Sequence, residues 1–253
     1  MFLAAWSVHA AENLFPRVAQ AYLVKRDGLV IWAGNAQAHM SPASLTKMMS
    51  ALVILESGRL DETVTVSREA SRQTGSHIGL KAGDQLRVRD LLAAMIVRSA
   101  NDACRALADH VGVTFVARMN RRAAQLGLRD TQFVDPCGHD RPGQYSTATD
   151  LARLAELAMQ QPEFARLARA ERLSIVTLSG RRKFYFTNTN ALIGRYEGAI
   201  GVKTGTTGRA GNCLVAIAER NGVRVVLVLL NAQNRWWNAA GLLDRAFEFH
   251  PQL

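Results

Sequence analysis

Two short apolar runs, Ala21–Val24 and Leu29–Ala33, flank Lys25-Arg26-Asp27-Gly28, and an Asp-Gly pair between such runs predicts a β-hairpin. The next run is of another kind. Leu45, Met48, Met49, Leu52, Val53, Ile54 and Leu55 are apolar on nearly every helical face, the pattern of a helix buried in its domain. Ser41 reads as its N-cap and Pro42 as its first helical residue, with the end near Gly58. Thr63–Val66 alternates as a short strand, and Ser67–Gly83, polar and punctuated by glycine, reads as loop. Helical spacing returns over Val88–Val97, Asn101–Val111 and Val113–Leu126, broken at Ser99 and Gly112. Thr131–Gly143, with Pro136, Gly138 and Pro142, is a loop. Thr147–Gln160 is an amphipathic helix with Thr147 as N-cap, and Pro162 opens a shorter one.

From Leu173 the period becomes that of strands. Leu173–Leu178 and Arg182–Thr187 alternate around Ser179-Gly180, and Ile200–Thr204 is a short strand. Cys213–Ala218 and Val223–Leu230 are joined by Arg220-Asn221-Gly222, a strong hairpin signal. Trp236–Phe249 closes the chain as a helix. Strands near both termini must therefore share one sheet, with a helical block between them. Hairpin connections predict an antiparallel sheet of about five strands flanked by helices, an α/β (α+β) fold. The expected organisation is one domain over 11–253, its sheet part in 18–66 and 171–253 and its helical part in 67–170.

Charge alters this picture little. The net charge is +10 over 253 residues, which raises nucleic acid as a partner. The arginines are scattered, however, and no zinc-finger spacing, RNA-binding sheet motif or basic tail accompanies them. No nucleic-acid partner is expected; a basic surface also suits other anionic partners. Cys104, Cys137 and Cys213 are widely spaced and allow at most one disulfide with one thiol left over. The histidines (His9, His39, His77, His110, His139 and His250) show no ligand spacing, so no metal is expected. No apolar stretch approaches the ~18 residues of a membrane span. Phe2–Val8, ending in Val8-His9-Ala10, fits either the tail of a signal peptide cleaved after Ala10, which would make residues 1–10 a remnant and the protein an exported one, or a simple N-terminal helix turn.

Candidate chemistry begins at Ser44 and Lys47. They lie one turn apart on one face of the apolar helix, where Lys47 is the only charge between Ser41 and Leu55. A lysine stripped of water gives up its proton more readily, so its neutral amine is available as a base near neutral pH, and a serine hydroxyl needs such a base before it can attack a carbonyl. Ser-x-x-Lys alone arises about once by chance in a chain this long. Two further motifs follow. Ser99-Ala100-Asn101 sits at a break between helices, and Lys203-Thr204-Gly205 ends a late strand. Lys47 and Lys203 are two of only five lysines, with Lys25, Lys81 and Lys183.

The three motifs, in this order, resemble those of the penicillin-recognising serine enzymes. The segments PASLTKMM, SANDAC, FVDPCGHD and GVKTGTTGRAGNCLVA are most similar to the low-molecular-mass penicillin-binding proteins, the D-alanyl-D-alanine carboxypeptidases, and the likeness runs from about Ala21 to Phe249. The resemblance implies a β-lactamase/transpeptidase-like fold with an inserted helical subdomain, no cofactor, peptidoglycan stem peptides as substrates and β-lactams as inhibitors. It implies a periplasmic or other extracytoplasmic setting. It assigns Ser44 as nucleophile, Lys47 as its base, Ser99 as proton relay, Asn101 as a holder of the substrate amide and of Lys47, and Lys203 as a positive charge. Thr204, Gly205 and Thr206 would bind the substrate's end, and the backbone N–H groups of Ser44 and Thr206 would form an oxyanion hole. Arg235 is a further carboxylate candidate, for which a solvated arginine is the competing reading.

Departures from the family bear on activity. Many relatives carry a β-rich domain and an amphipathic anchor after the catalytic domain, whereas this chain ends at Leu253, suggesting a soluble, differently anchored or shortened form. D,D-endopeptidase activity stays open. A class A-like β-lactamase is the other alternative, but Ala100 replaces the usual Asp, and Glu156, Glu163 and Glu171 stand in no Glu-x-x-Leu-Asn setting. Oligomeric state is not encoded in any of these patterns.

Overall fold

The computed structural model describes residues 15–249, so the signal-peptide remnant at 1–10 lies outside the described residues. The first hairpin forms as predicted, from β1 (Ala21–Arg26) and β2 (Leu29–Gly34), turning at Asp27 (φ 49°) and Gly28 (φ 85°). Two positive φ values in succession make the tight turn whose twist matches paired strands. The late strands are β7 (Ala199–Thr207), β8 (Gly211–Arg220) and β9 (Val223–Leu230). β8 and β9 turn through Asn221 (φ 49°) and Gly222 (φ 79°) in the same way. They join β1 and β2 in one antiparallel five-stranded sheet of order β2-β1-β9-β8-β7. The sheet is closed across the chain's two ends by β1 and β9, which pair Ala21 with Leu230 and Arg26 with Val225.

The central strands read as unbroken apolar runs because both faces are covered. On one face, Ala21, Leu23, Cys213, Val215, Ile217, Val226, Val228 and Leu230 enter a core shared with the helical block. On the other, Tyr22, Val24, Leu214, Ala216, Val225, Leu227 and Leu229 pack under the last helix, α8 (Arg235–Glu248), against Ala239, Leu242, Leu243 and Ala246. The helical block consists of α1 (Lys47–Glu56), α2 (Arg68–Ser71), α3 (Val88–Val97), α4 (Asn101–Val111), α5 (Phe115–Gln125), α6 (Ala148–Met159) and α7 (Pro162–Arg169). Thr147 caps α6 as predicted: its hydroxyl accepts from the Asp150 N–H at 3.1 Å.

Four expectations are corrected. Ser41 is not a helix cap; its hydroxyl donates to Asp140 at 3.1 Å. The segment opens instead as a 3-10 turn, Ala43–Thr46, because Ala43 takes φ 48° and α-helical geometry starts only at Lys47. The stretch 67–83 is not all loop, since Ser67 caps α2 by accepting from the Ala70 N–H at 2.9 Å. Val88 is preceded by an unpredicted strand, β4 (Gln85–Arg87), which pairs with β3 (Thr63–Thr65). The hairpin of β5 (Arg172–Val176) and β6 (Lys183–Thr187) stays out of the main sheet as a separate two-stranded ladder. It is tied instead to the helical block, where the Leu178 N–H donates to the Gln85 carbonyl at 2.8 Å and Arg182 pairs with Asp84.

Removing the Thr147 hydroxyl as Thr147→Ala leaves the first turn of α6 uncapped in a buried setting, and is expected to cost about 1 kcal/mol of stability. A urea titration should show a lower midpoint at unchanged slope; an unchanged midpoint would rule the cap out as a stabilising contact.

Candidate active site

Ala43 and Ser99 both sit in the left-handed region, at φ 48° and φ 61°, which side chains bearing a Cβ rarely adopt. Each lies at the mouth of a helix, next to Ser44 or Asn101, and such positions concentrate at sites where side-chain presentation matters. The 3-10 turn brings Ser44 to the wall of a cavity of about 380 Å³ and leaves Lys47 one turn deeper, wholly buried. Lys47 Nζ lies 2.8 Å from Ser44 Oγ, 2.8 Å from Asn101 Oδ1 and 2.5 Å from the Cys137 carbonyl. Asn101 is locked in turn, its Nδ2 donating to the Thr74 carbonyl at 2.6 Å and its backbone N–H to the Ser76 carbonyl at 2.7 Å.

This arrangement suits an uncharged amine. Burial drives the Lys47 pKa down to about 7, and the Asp135 carboxylate opposes that only in part. A neutral amine has two hydrogens and one lone pair. The two carbonyl oxygens, of Asn101 and Cys137, can take the hydrogens, which leaves the lone pair for the Ser44 hydroxyl.

The opposite wall is β7, an edge strand of the sheet. Lys203 is buried and donates to Ser99 Oγ at 2.7 Å and to the Thr204 carbonyl at 3.0 Å. Burial, with the nearby charges of Lys47 and Arg235, holds its pKa well below the ordinary lysine range. Thr204 shares a hydroxyl contact of 2.7 Å with Thr189, and Thr206 reaches Asn212 Oδ1 at 3.2 Å. Gly205 lines the cavity and also lets β7 approach the nucleophile's turn, since a Cβ there would lie 2.9 Å from Ala43 Cβ and 3.0 Å from the Ser44 nitrogen. Arg235 is no solvated arginine. It is half-buried at the start of α8, its Nη1 donates to the carbonyls of Gly205 (3.1 Å) and Cys213 (3.0 Å), and its buried Nε has no hydrogen-bond partner. All nine motif-derived residues are thus gathered around one pocket, with the lysines at its base.

The loop between α5 and α6 completes the site, and its part was not foreseen. Asp135 Oδ1 accepts from the N–H groups of Cys137 (2.8 Å), Gly138 (2.7 Å) and His139 (3.0 Å). Burial raises the Asp135 pKa, but these bonds and the His139 side chain outweigh it and hold the carboxyl at about 2. Ser50 Oγ donates to the Pro136 carbonyl at 2.5 Å, and Cys104 and Cys137 form a disulfide. Cys104 is one turn after Asn101 in α4, so one covalent bond ties together both elements that hold Lys47. Cys213 is the buried free thiol. Gly138, at φ 88°, presses on the Ser44 turn; a Cβ there would lie 2.0 Å from the Ala43 carbonyl oxygen. Among the described residues, no three His, Cys, Asp or Glu side chains group as a metal site, and no helix is long and apolar enough to cross a membrane.

The peptidase S11 family, D-alanyl-D-alanine carboxypeptidase, matches residues 16–234. The chain belongs to that family. This D-alanyl-D-alanine carboxypeptidase family member is 34% identical over 255 residues to D-alanyl-D-alanine carboxypeptidase DacF of Bacillus subtilis, covering 95% of this chain. It spans 65% of the Bacillus relative's length. It is 32% identical over 219 residues to the D-alanyl-D-alanine endopeptidase of Pseudomonas aeruginosa, covering 84% of this chain and 70% of that protein. The crystal structure of Streptomyces K15 DD-transpeptidase matches with a TM-score of 0.87 at 30% identity, over 92% of this chain and 98% of that one. The family's transpeptidase-like architecture, with the helical block inserted into an antiparallel sheet, is the fold expected from the motif order.

Two measurements test the Lys47 environment in this family member. Carbon-13 NMR of labelled lysine side chains should show Lys47, assigned by its loss in Lys47→Arg, titrating near pH 7; a value near 10 would sink the neutral-amine reading. In the double variant Cys104→Ala/Cys137→Ala the loop is no longer pinned and water reaches Nζ. The Lys47 pKa should then rise toward that of a solvated lysine, whereas an unmoved titration would mean the disulfide has no part in the cradle.

Proposed function

We propose that the protein is a serine-type D-alanyl-D-alanine carboxypeptidase that trims peptidoglycan stem peptides through an acyl-enzyme on Ser44, and that penicillin acylates the same oxygen. The observation carrying this reading is the buried Lys47 amine, 2.8 Å from Ser44 Oγ and with both of its hydrogens engaged elsewhere. Lys47 takes the Ser44 proton as Oγ attacks the carbonyl of the penultimate D-alanine. The backbone N–H groups of Ser44 and Thr206, residues that both line the cavity, receive the developing oxyanion. The C–N bond then breaks, and the proton held by Lys47 passes by way of the Ser99 hydroxyl to the departing amine. Water attacks the Ser44 ester, its proton goes through Lys47 to Oγ as the C–O bond breaks, and the shortened peptide leaves as a carboxylic acid.

The substrate's terminal carboxylate is read by Thr204 and Thr206, with Arg235 behind them. Burial first, and then repulsion from the charges of Lys47 and Arg235, keeps the Lys203 pKa depressed. An arriving carboxylate relieves that repulsion and favours the protonated form of Lys203, so that substrate binding itself restores the charge. The free edge of β7 pairs with the substrate backbone as an added strand. Export to the periplasm or another extracytoplasmic space fits the Cys104–Cys137 disulfide, since such bonds persist in oxidising compartments.

A D,D-endopeptidase acting on crosslinks is the second reading, favoured by the likeness to the Pseudomonas endopeptidase. The β-lactamase reading is disfavoured because no carboxylate is among the residues lining the cavity, which leaves none there to direct a deacylating water.

Intact mass after brief exposure to benzylpenicillin should show one stoichiometric adduct, absent in Ser44→Ala. Penicillin turnover without an adduct would favour the β-lactamase, and neither adduct nor turnover would sink the acyl-enzyme. The acylation rate should rise about tenfold per pH unit below pH 7 and level off above it, because only the neutral form of Lys47 accepts the proton. A rate flat from pH 5 to 9 would exclude Lys47 as the base. Cleavage of a D-alanyl-D-alanine pentapeptide, compared with that of a crosslinked muropeptide dimer, separates carboxypeptidase from endopeptidase.

A further inference from the structure

The β5–β6 ladder has one face on α3 and one face open. Register pairs Arg172 with Thr187, Ser174 with Tyr185 and Val176 with Lys183, and all six are exposed. Their alternates, Ile175, Phe184 and Phe186, are buried. Such alternation gives a half-buried strand pair its fold but does not dictate what stands on the open side. Here that side is cationic and aromatic. Tyr185 is 74% exposed, with Lys183 Nζ 5.0 Å from its ring centre. Arg172 meets only the side chain of its chain neighbour, Glu171, at 3.0 Å. Arg98, exposed at the end of α3 and without an ion-pair partner among the described residues, lines the same groove as Arg172 and Tyr185.

Arg98, Arg172, Ser174, Tyr185 and Thr187, with Leu173 and Phe186 from the ladder's inner set, line a groove of about 880 Å³, more than twice the volume of the Ser44 cavity. The two adjoin. Arg98 immediately precedes Ser99, and Thr187 is two residues before Thr189, both of which line the Ser44 cavity. The Thr189 N–H donates to the Val97 carbonyl at 3.0 Å, so that backbone seam is the border between groove and cavity.

We infer that this groove binds the upstream part of the peptidoglycan strand whose D-alanyl-D-alanine end occupies the Ser44 cavity. This rests on the function proposed above. Its occupant is an anionic peptide joined to an amino sugar: stem carboxylates pair with Arg98 and Arg172, and the flat Tyr185 ring offers a face to the sugar or to an alkyl side chain. Continuity with the cavity and complementary charge select that occupant. The small cavity reads the two terminal residues, and the groove separates long wall fragments from short peptides with the same end.

The test uses fluorescein-labelled disaccharide pentapeptide and labelled acetyl-lysyl-D-alanyl-D-alanine, bound to Ser44→Ala protein with and without Arg98→Gln, Arg172→Gln and Tyr185→Ala together. The three side chains are exposed, and none belongs to the Ser44 pocket. The long probe should bind about five- to tenfold more weakly to the groove variant and lose affinity with added salt, as expected for two or three exposed contacts acting together. The short probe should bind equally to both. With Ser44 restored, the groove variant should be acylated by benzylpenicillin at the unaltered rate. Equal affinity for the long probe, or equal loss for both probes, overturns the groove while leaving the active-site reading intact. If the Ser44 protein gives no penicillin adduct and Ser44→Ala binds neither probe, the parent reading fails and the groove falls with it.

Discussion

Taking an amine out of water without giving it a carboxylate partner is the constraint on which this site depends. Lys47 has no acid within hydrogen-bond reach; its neighbours are a hydroxyl, an amide oxygen and a main-chain carbonyl. Burying an ammonium under those conditions costs several kcal/mol, and the group escapes the penalty by giving up its proton. Much of the helical block serves this arrangement. α1 carries the lysine into the core, α4 supplies Asn101, and the loop after α5 delivers one carbonyl at a fixed height. Asp135 acts from a distance, spending its charge on backbone N–H groups rather than on the amine. Were it to reach Nζ directly, the base would become an ion pair and cease to accept protons.

The second lysine obeys different logic. Lys203 belongs to the sheet, bonds Ser99 from below and feels Lys47 and Arg235 as like charges. One wall of the cleft therefore carries a buried amine among neutral acceptors, and the other a second buried amine beside an arginine. The glycines at 138 and 205 let the two walls close on the Ser44 turn from opposite sides, each where a Cβ would collide with residues 43 or 44.

The sheet and most helices were legible in the sequence because their signals are local: Asp-Gly and Asn-Gly turns, a Thr cap, a proline opening α7, and apolar runs too dense for a one-sided element. The misreadings share a cause. Ser41-Pro42 has the chemistry of a helix start, but Ala43 adopts a backbone state that no propensity encodes, imposed by the packing of Gly138 and Gly205 around it. The strand Gln85–Arg87 is three residues long and exists only because Thr63–Thr65 lies alongside. In the site, the family resemblance carried by the motifs named side chains that the structure gathers around one pocket. The Cys137 carbonyl could not be named in this way, since a main-chain oxygen has no sequence signature; Cys104 and Cys137 were visible only as two of three unpaired cysteines. A solvated reading competes for Arg235 in the sequence because its position before α8 says nothing of the strand it reaches across.

β7 lies at the end of its sheet with one side unpaired, and such an edge is ordinarily a hazard, open to any other extended chain. Here it forms one wall of a cleft rather than an outer rim: Ser44, Ser99 and His139 line the same space. The edge is thus screened by side chains of its own molecule rather than by a sixth strand.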